Sequence, residues 1–203
     1  MNSQALSSSS STTRIPAISS TSHHTIIIGV TGSIAAYKAA ELVSQLRQRG
    51  HRIFVVMTSD SKNFITPLTL QTLSGNPLVE NFSDEISGSS CGHIALADRA
   101  DLLLIAPATA SAIARLAYGF SDDPLSAIAL ATRAPLLIAP AMNGNMWEHP
   151  ATCENVERLR SRGVQFIGPS VGLLACGYEG SGRLIESSAI IDCAEKLLTH
   201  KVI

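Results

Sequence analysis

Charge is scarce in this 203-residue chain and neither sign dominates: Asp, Glu, Lys and Arg make up 15% of it and the net charge is −1. Without a basic block there is no electrostatic footprint for nucleic acid. Long apolar runs are missing as well. Leu102–Ala106 and Leu136–Ala141 are far shorter than the roughly 20 residues a membrane-spanning helix needs, so no membrane segment is expected. Cysteine occurs only at 91, 153, 176 and 193, never with the spacing of a zinc pair. No metal site is expected, and reduced thiols in a cytoplasmic protein are the default reading. Two familiar nucleotide loops are also absent. No Gly-Lys-Ser/Thr is present for a triphosphatase, and no G-x-G-x-x-G for a dinucleotide fold.

What is present is apolar: 45% of the chain is hydrophobic, which suits an α/β protein whose central strands are covered on both faces. The first 25 residues differ from the rest, with abundant Ser and Thr, no acid and a lone Arg14. They lack the apolar core of a secretory signal, and Arg is too sparse for a transit peptide, so a disordered tail is expected. From residue 26 onward a single domain is expected.

Ile26-Ile27-Ile28-Gly29-Val30 reads as a buried strand. Apolar Ala36, Ala39, Leu42, Val43 and Leu46, interleaved with Lys38, Glu41, Gln45 and Gln48, then read as an amphipathic helix closed by Gly50. The alternation continues with strands at Ile53–Met57, Asp101–Ala106, Pro135–Ala141 and Val164–Ile167. Helices are expected at 108–118, at 124–131 behind an Asp122-Asp123-Pro124 cap, at 151–162 and at 188–200. Such alternation predicts a doubly wound parallel sheet, with ligands at the carboxyl ends of the strands. Gly168–Arg183, rich in glycine, is expected to be a disordered loop or a moving flap.

Thr31-Gly32-Ser33-Ile34 joins the first strand to the first helix. Gly32 permits a sharp turn and close approach to a ligand, and Ser33 is a natural N-cap. The helix start favours a phosphate, although an ordinary capped turn fits these residues equally well. Thr58-Ser59 stand where a dinucleotide fold places an acid for the ribose. A mononucleotide with one terminal phosphate fits better, with Thr58 and Ser59 as further hydroxyl donors.

Pro140-Ala141-Met142-Asn143-Gly144-Asn145-Met146-Trp147 carries every fixed position of Pro-x-Met-Asn-x-x-Met-Trp. With Gly32-Ser33-Ile34-Ala35-Ala36, His93 ahead of Ala100-Asp101, and Leu174-Ala175-Cys176-Gly177 ahead of Gly180-Ser181-Gly182-Arg183, it resembles the homo-oligomeric flavin-containing cysteine decarboxylases. The resemblance spans roughly 26–190 and is greatest to members that convert 4′-phosphopantothenoylcysteine to 4′-phosphopantetheine in coenzyme A biosynthesis. It implies a flavodoxin-like or Rossmann-like sheet, FMN as cofactor, a flexible C-terminal substrate flap, and a homo-oligomer built from trimers with flavin between neighbouring subunits.

The same resemblance assigns roles. His93 would be the catalytic base; a capping or surface histidine is the ordinary reading of such a residue. Asn143 would hold the substrate carboxylate through its amide, a role compatible with an asparagine that structures its own turn. Cys176, on the flap, would protonate the enethiolate left after CO₂ departs; its ordinary reading is a small buried hydrophobe. Arg183 would meet the substrate phosphate, and Met146 would wall the pocket. Flavin contacts are implied for Gly32, Ser33, Ile34, Thr58, Ser59, Thr109, Ala110 and Ser111, although the family's usual Asn-Thr pair is here Ser111-Ala112. Relatives that act on peptide C-termini stop at the enethiol and need no such thiol. Non-enzymatic relatives that regulate phosphatases carry long acidic extensions, which this sequence lacks. A decarboxylase of the coenzyme A pathway is the expected function.

Overall fold

The computed structural model describes residues 23–79, 92–175, 177 and 179–199. The expectations for most of the Ser-rich tail and for Cys176 fall outside the described residues. Five strands, β1 (Thr25–Val30), β2 (Arg52–Met57), β3 (Leu102–Ala108), β4 (Leu136–Pro140) and β5 (Gln165–Phe166), pair in parallel in the order β2-β1-β3-β4-β5. This is the flavodoxin-like arrangement, in which the winding reverses between β1 and β3. The helices are α1 (Lys38–Gln48), α2 (Pro67–Ser74), α3 (His93–Arg99), α4 (Ala110–Tyr118), α5 (Pro124–Ala131), α6 (Gly144–Glu148), α7 (Pro150–Ser161) and α8 (Ser187–Thr199). A hairpin of β6 (Ser170–Leu173) and β7 (Glu179–Arg183) forms a separate two-stranded sheet.

Strand periodicity of two decides the layers. Ile26, Ile28, Ile53, Val55, Leu102 and Leu104 face α1, α2 and α8, where Leu42, Leu46, Leu70, Ile190 and Ala194 are buried. Ile27, Phe54, Val56, Leu103 and Ile105 face α3, α4, α5 and α7, meeting Leu96, Ile113, Ile128 and Val156. Burial on both faces explains why the strands read as unbroken apolar runs rather than as alternation. Each large aliphatic side chain so buried contributes about 1.5–3 kcal/mol. The apolar positions expected for the first helix, Ala36, Ala39, Leu42, Val43 and Leu46, are all buried.

Local chemistry sets most helix boundaries. Asp123 caps α5 in a reciprocal capping box with Ser126, and Pro124 occupies the first turn. Gly75 and Gly119 end α2 and α4 in the left-handed conformation.

Two expectations are corrected. Pro107 and Ala108 belong to β3 rather than to the following helix, because Thr109 is extended and caps α4 by accepting the Ala112 N–H. The glycine-rich segment contains the β6–β7 hairpin instead of an unstructured loop. The short helices α2, α3 and α6 were not anticipated.

At the amino edge of the sheet, His51 is buried with its Nδ1 lacking any hydrogen-bond partner. Its Nε2 lies 3.7 Å from Glu195, and its ring centroid lies 5.8 Å from that of His24. Burial pushes the imidazole below its ordinary value and outweighs the pull of Glu195. The unfolded chain therefore binds this proton more readily than the folded one. The stability at stake is present above the ordinary histidine value of about 6.5 and is lost as pH falls below it and through the lowered folded-state value. The thermal midpoint should drop between neutral pH and mildly acidic pH, and His51→Leu should flatten that part of the profile.

Candidate active site

The loops that leave β1, β2, β3 and β4 converge at the carboxyl edge, around the point where the winding reverses. Thr31 ties two of them together. Its hydroxyl donates to the Pro107 carbonyl at 2.8 Å and accepts the Thr109 N–H at 3.0 Å, and the residue is 1% exposed. Sequence reasoning singled out its neighbours Gly32 and Ser33 but missed Thr31 itself. A threonine ending a buried strand was the available signal. Thr31→Val keeps the shape but leaves two buried backbone groups unpaired. It should cost about 1–3 kcal/mol, measured from the urea midpoint, whereas Thr31→Ser should retain most of the stability.

Two hollows adjoin at this edge, sharing Gly32, Thr109 and Met146 as a common wall. The first, of about 520 Å³, carries the hydroxyls of Thr58, Ser59, Thr109 and Ser111 together with Arg115 and the carboxylates of Asp60, Asp122 and Asp123. Arg115 is bound by Asp122 and lies 3.8 Å from Asp123. That hydrogen bond holds the Asp122 carboxyl below its ordinary range and the guanidinium above its own. The second hollow, of about 570 Å³, is mostly apolar. Ser33, Ile34, Tyr37, Met142 and Leu174 line it, with Asn143, Lys38 and Arg183 as its main polar groups.

Ser33 caps the helical turn Ile34–Tyr37, which runs directly into α1; its hydroxyl accepts the Ala35 N–H at 3.3 Å. The positive end of that helix faces the second hollow. Gly32 does not have a positive φ, so the sharp turn expected of it is not why glycine stands there. A Cβ at Gly32 would lie 2.5 Å from the Asp60 Cβ. The residue is needed for close packing of the first loop on the turn Ser59–Asn63.

Asn143 caps α6 with its amide oxygen, which accepts the Asn145 N–H at 2.9 Å. The structural role expected of it is therefore real, and it is carried by the amide oxygen, the acceptor side of the group. The β6–β7 hairpin docks on this loop. Met142 N–H donates to the Gly182 carbonyl at 3.0 Å, and a Cβ at Gly182 would come within 2.3 Å of the Met142 oxygen. Leu173, Leu174 and Ala175 from one arm of the hairpin, and Gly182 and Arg183 from the other, close one side of the second hollow.

Gly32, Thr58, Ser59, Thr109, Ser111 and Met146 thus meet at the first hollow, and Gly32, Ser33, Ile34, Thr109, Asn143, Met146 and Arg183 at the second. Ala110 and His93 line neither. His93 is the first residue of α3, a seven-residue helix that rises only about 10 Å. β3, which follows it, runs about 23 Å. Lys38, read from the sequence only as one of the polar residues of the first helix, lines the second hollow.

The sequence matches the Flavoprotein family over residues 14–199, and the chain belongs to that family. A probable phosphopantothenoylcysteine decarboxylase of Streptococcus mutans is 46% identical over 175 residues, which cover 85% of this chain and 98% of that protein. The coenzyme A biosynthesis bifunctional protein CoaBC of Vibrio vulnificus is 46% identical over 176 residues, 87% of this chain but 44% of that protein. The chain thus spans less than half the length of such bifunctional relatives. Among solved structures, a cysteine-to-serine mutant of PPC decarboxylase complexed with pantothenoylaminoethenethiol superposes with a TM-score of 0.79 at 30% identity, covering 87% of this chain and 99% of that one. The FMN-dependent cysteine decarboxylase SpaF superposes with a TM-score of 0.71 at 33% identity, covering 84% and 97%.

Proposed function

We propose that this chain binds FMN and decarboxylates 4′-phosphopantothenoylcysteine to 4′-phosphopantetheine. The observation that carries the reading is the junction of the two hollows. A hydroxyl-rich site at the sheet's switch point shares a wall with an apolar site that holds Asn143. The residues fit a flavin mononucleotide. Thr58, Ser59, Thr109 and Ser111 offer hydroxyls to a single phosphate and ribityl chain.

Bound FMN supplies the redox chemistry, taking up and later returning a hydride equivalent, so the overall conversion is redox-neutral. The chain's own residues do the rest. Asn143 holds the substrate carboxylate by hydrogen bonds from a neutral donor, which does not trap the charge that must vanish as CO₂ leaves. Met146 and Thr109, in the wall common to both hollows, keep the reacting carbon beside the cofactor. His93 takes the substrate proton during oxidation. Cys176 delivers a proton to the enethiolate carbon. This accords with the relative whose cysteine-to-serine mutant is complexed with the aminoethenethiol compound.

The proposal includes a homo-oligomer built from trimers, in which His93 serves a neighbouring subunit's hollow. His93 lines neither hollow of its own chain. The rim of the second hollow also exposes large apolar residues, Ile34, Tyr37, Met146 and Leu173, such as interfaces bury. A cytoplasmic location, where thiols stay reduced, completes the reading; no helix among the described residues is long and apolar enough to cross a membrane.

The test is incubation of FMN-loaded protein with phosphopantothenoylcysteine, followed by mass spectrometry. Phosphopantetheine and CO₂ are expected. Accumulation of the enethiol, or turnover only of peptides ending in cysteine, would replace the proposal with a peptide-modifying activity. Stable phosphatase binding without any turnover would replace it with a regulatory role.

A further inference from the structure

We propose that Lys38, Arg183 and Glu186 form an exchangeable anion clasp at the mouth of the second hollow, which receives the substrate's phosphate when Glu186 gives way. The inference rests on the function proposed above and adds the group that selects the phosphorylated substrate. Both cations line the hollow, whereas Glu186 does not. Glu186 bridges them, with one carboxylate oxygen 3.6 Å from Lys38 Nζ and the other 3.0 Å from Arg183 Nη2.

The three side chains differ in freedom. Lys38 is 15% exposed and anchored in the first turn of α1, while Glu186 is 65% exposed and can swing into solvent. Arg183 lies along the hairpin, and a Cβ at Gly172 would meet its Nη1 at 3.2 Å. Bare glycine on β6 therefore gives the guanidinium its path. Glu41, the other nearby acid, accepts a 2.6 Å hydrogen bond from Ser187. Two cations against one bridging carboxylate leave the clasp with a net charge of +1. A dianionic phosphate satisfies that arrangement better than Glu186 does, and an arginine fork beside a lysine suits its oxygens. Asn143 would take the carboxylate at one end of an amphipathic substrate and the clasp its phosphate at the other, with the apolar wall between them.

The experiment compares binding of 4′-phosphopantetheine and pantetheine to the FMN-loaded protein by calorimetry, alongside kcat/KM for the phosphorylated and dephosphorylated cysteine substrates. Wild type should prefer the phosphorylated ligand by about 10- to 100-fold, the range for hydrogen bonds to charged groups. Lys38→Met and Arg183→Gln should each erase about tenfold of that preference. Glu186→Gln should keep it and make inorganic phosphate a stronger competitor. Equal losses for both ligands in the two cation variants would overturn the clasp, as would unchanged phosphate competition in Glu186→Gln. Should wild type bind and turn over neither pair, the proposed function fails. The clasp is then decided separately by inorganic phosphate: binding to the FMN-loaded protein that is lost in Lys38→Met upholds it, and binding that persists there overturns it.

Discussion

Asn143→Asp should lower kcat/KM by roughly a thousandfold while leaving the fold as stable as before. Aspartate is as good an N-cap as asparagine, so the bond to the Asn145 N–H, now 2.9 Å, can be kept. What changes is the other side of the group. A donor is lost and a negative charge is placed where the substrate carboxylate must lie. Two like charges about 4 Å apart repel by about 4 kcal/mol at an effective dielectric near 20, and each 1.36 kcal/mol is about tenfold in rate. Unfolding midpoint and turnover measured on one preparation separate the two roles. A variant that retains a third of wild-type activity would remove Asn143 from the site, and one that unfolds would reduce it to a cap.

Gly182→Ala should release the hairpin from the Asn143 loop. The added Cβ would sit 2.3 Å from the Met142 oxygen, a backbone atom that cannot rotate away, and the residue's φ of +135° is one that alanine rarely adopts. Strain of about 1–3 kcal/mol and overpacking of similar size together exceed what one hydrogen bond between Met142 and Gly182 returns. The hairpin should yield before the parallel sheet does, because its contacts with the rest of the fold are fewer. The expected result is loss of hydrogen-exchange protection at the Met142 amide and of at least about tenfold in kcat/KM, with little change in protection within β1 and β3. An unchanged Met142 amide together with full activity would show that the hairpin does not depend on this contact.

Much of this was legible from residue order, for identifiable reasons. β1 to β4 are buried on both faces, so Ile26–Val30 and Leu102–Ala106 announce themselves as apolar runs. α1 is half-buried and so shows its period. Asp123 and Pro124 fix a helix start by local chemistry alone. The hairpin escaped notice because its pairing rests on tertiary docking rather than on strand-forming residues. Gly172 and Gly180 weaken local preference yet pair with each other in the ladder, and Gly182 sits at its register shift. Pro107 and Ala108 read as a helix start, since a proline commonly stands there; the pairing of Ala108 with Pro140 that makes them strand comes from a residue 32 positions away.

The site shows the same division. Thr58 and Ser59, directly after β2, could be placed from topology, while Thr109 and Asn143 followed from the family resemblance; all four line the hollows. Lys38 read only as one of the polar residues of an amphipathic helix, because helical periodicity cannot reveal that Glu186, 148 positions later, bridges it to Arg183. His93 was recognised by motif, but the fold sets it on a short helix that lines neither hollow of its own chain.

Titration of the purified protein with FMN, followed by flavin fluorescence, tests the central claim most directly. Saturable binding of one FMN per chain at micromolar or lower concentration is predicted, weakened at least tenfold when Thr58 and Ser59 are both replaced by alanine. A protein that leaves free FMN fluorescence unchanged at those concentrations would contradict the assignment of the hydroxyl-lined hollow, and with it the chemistry built beside it.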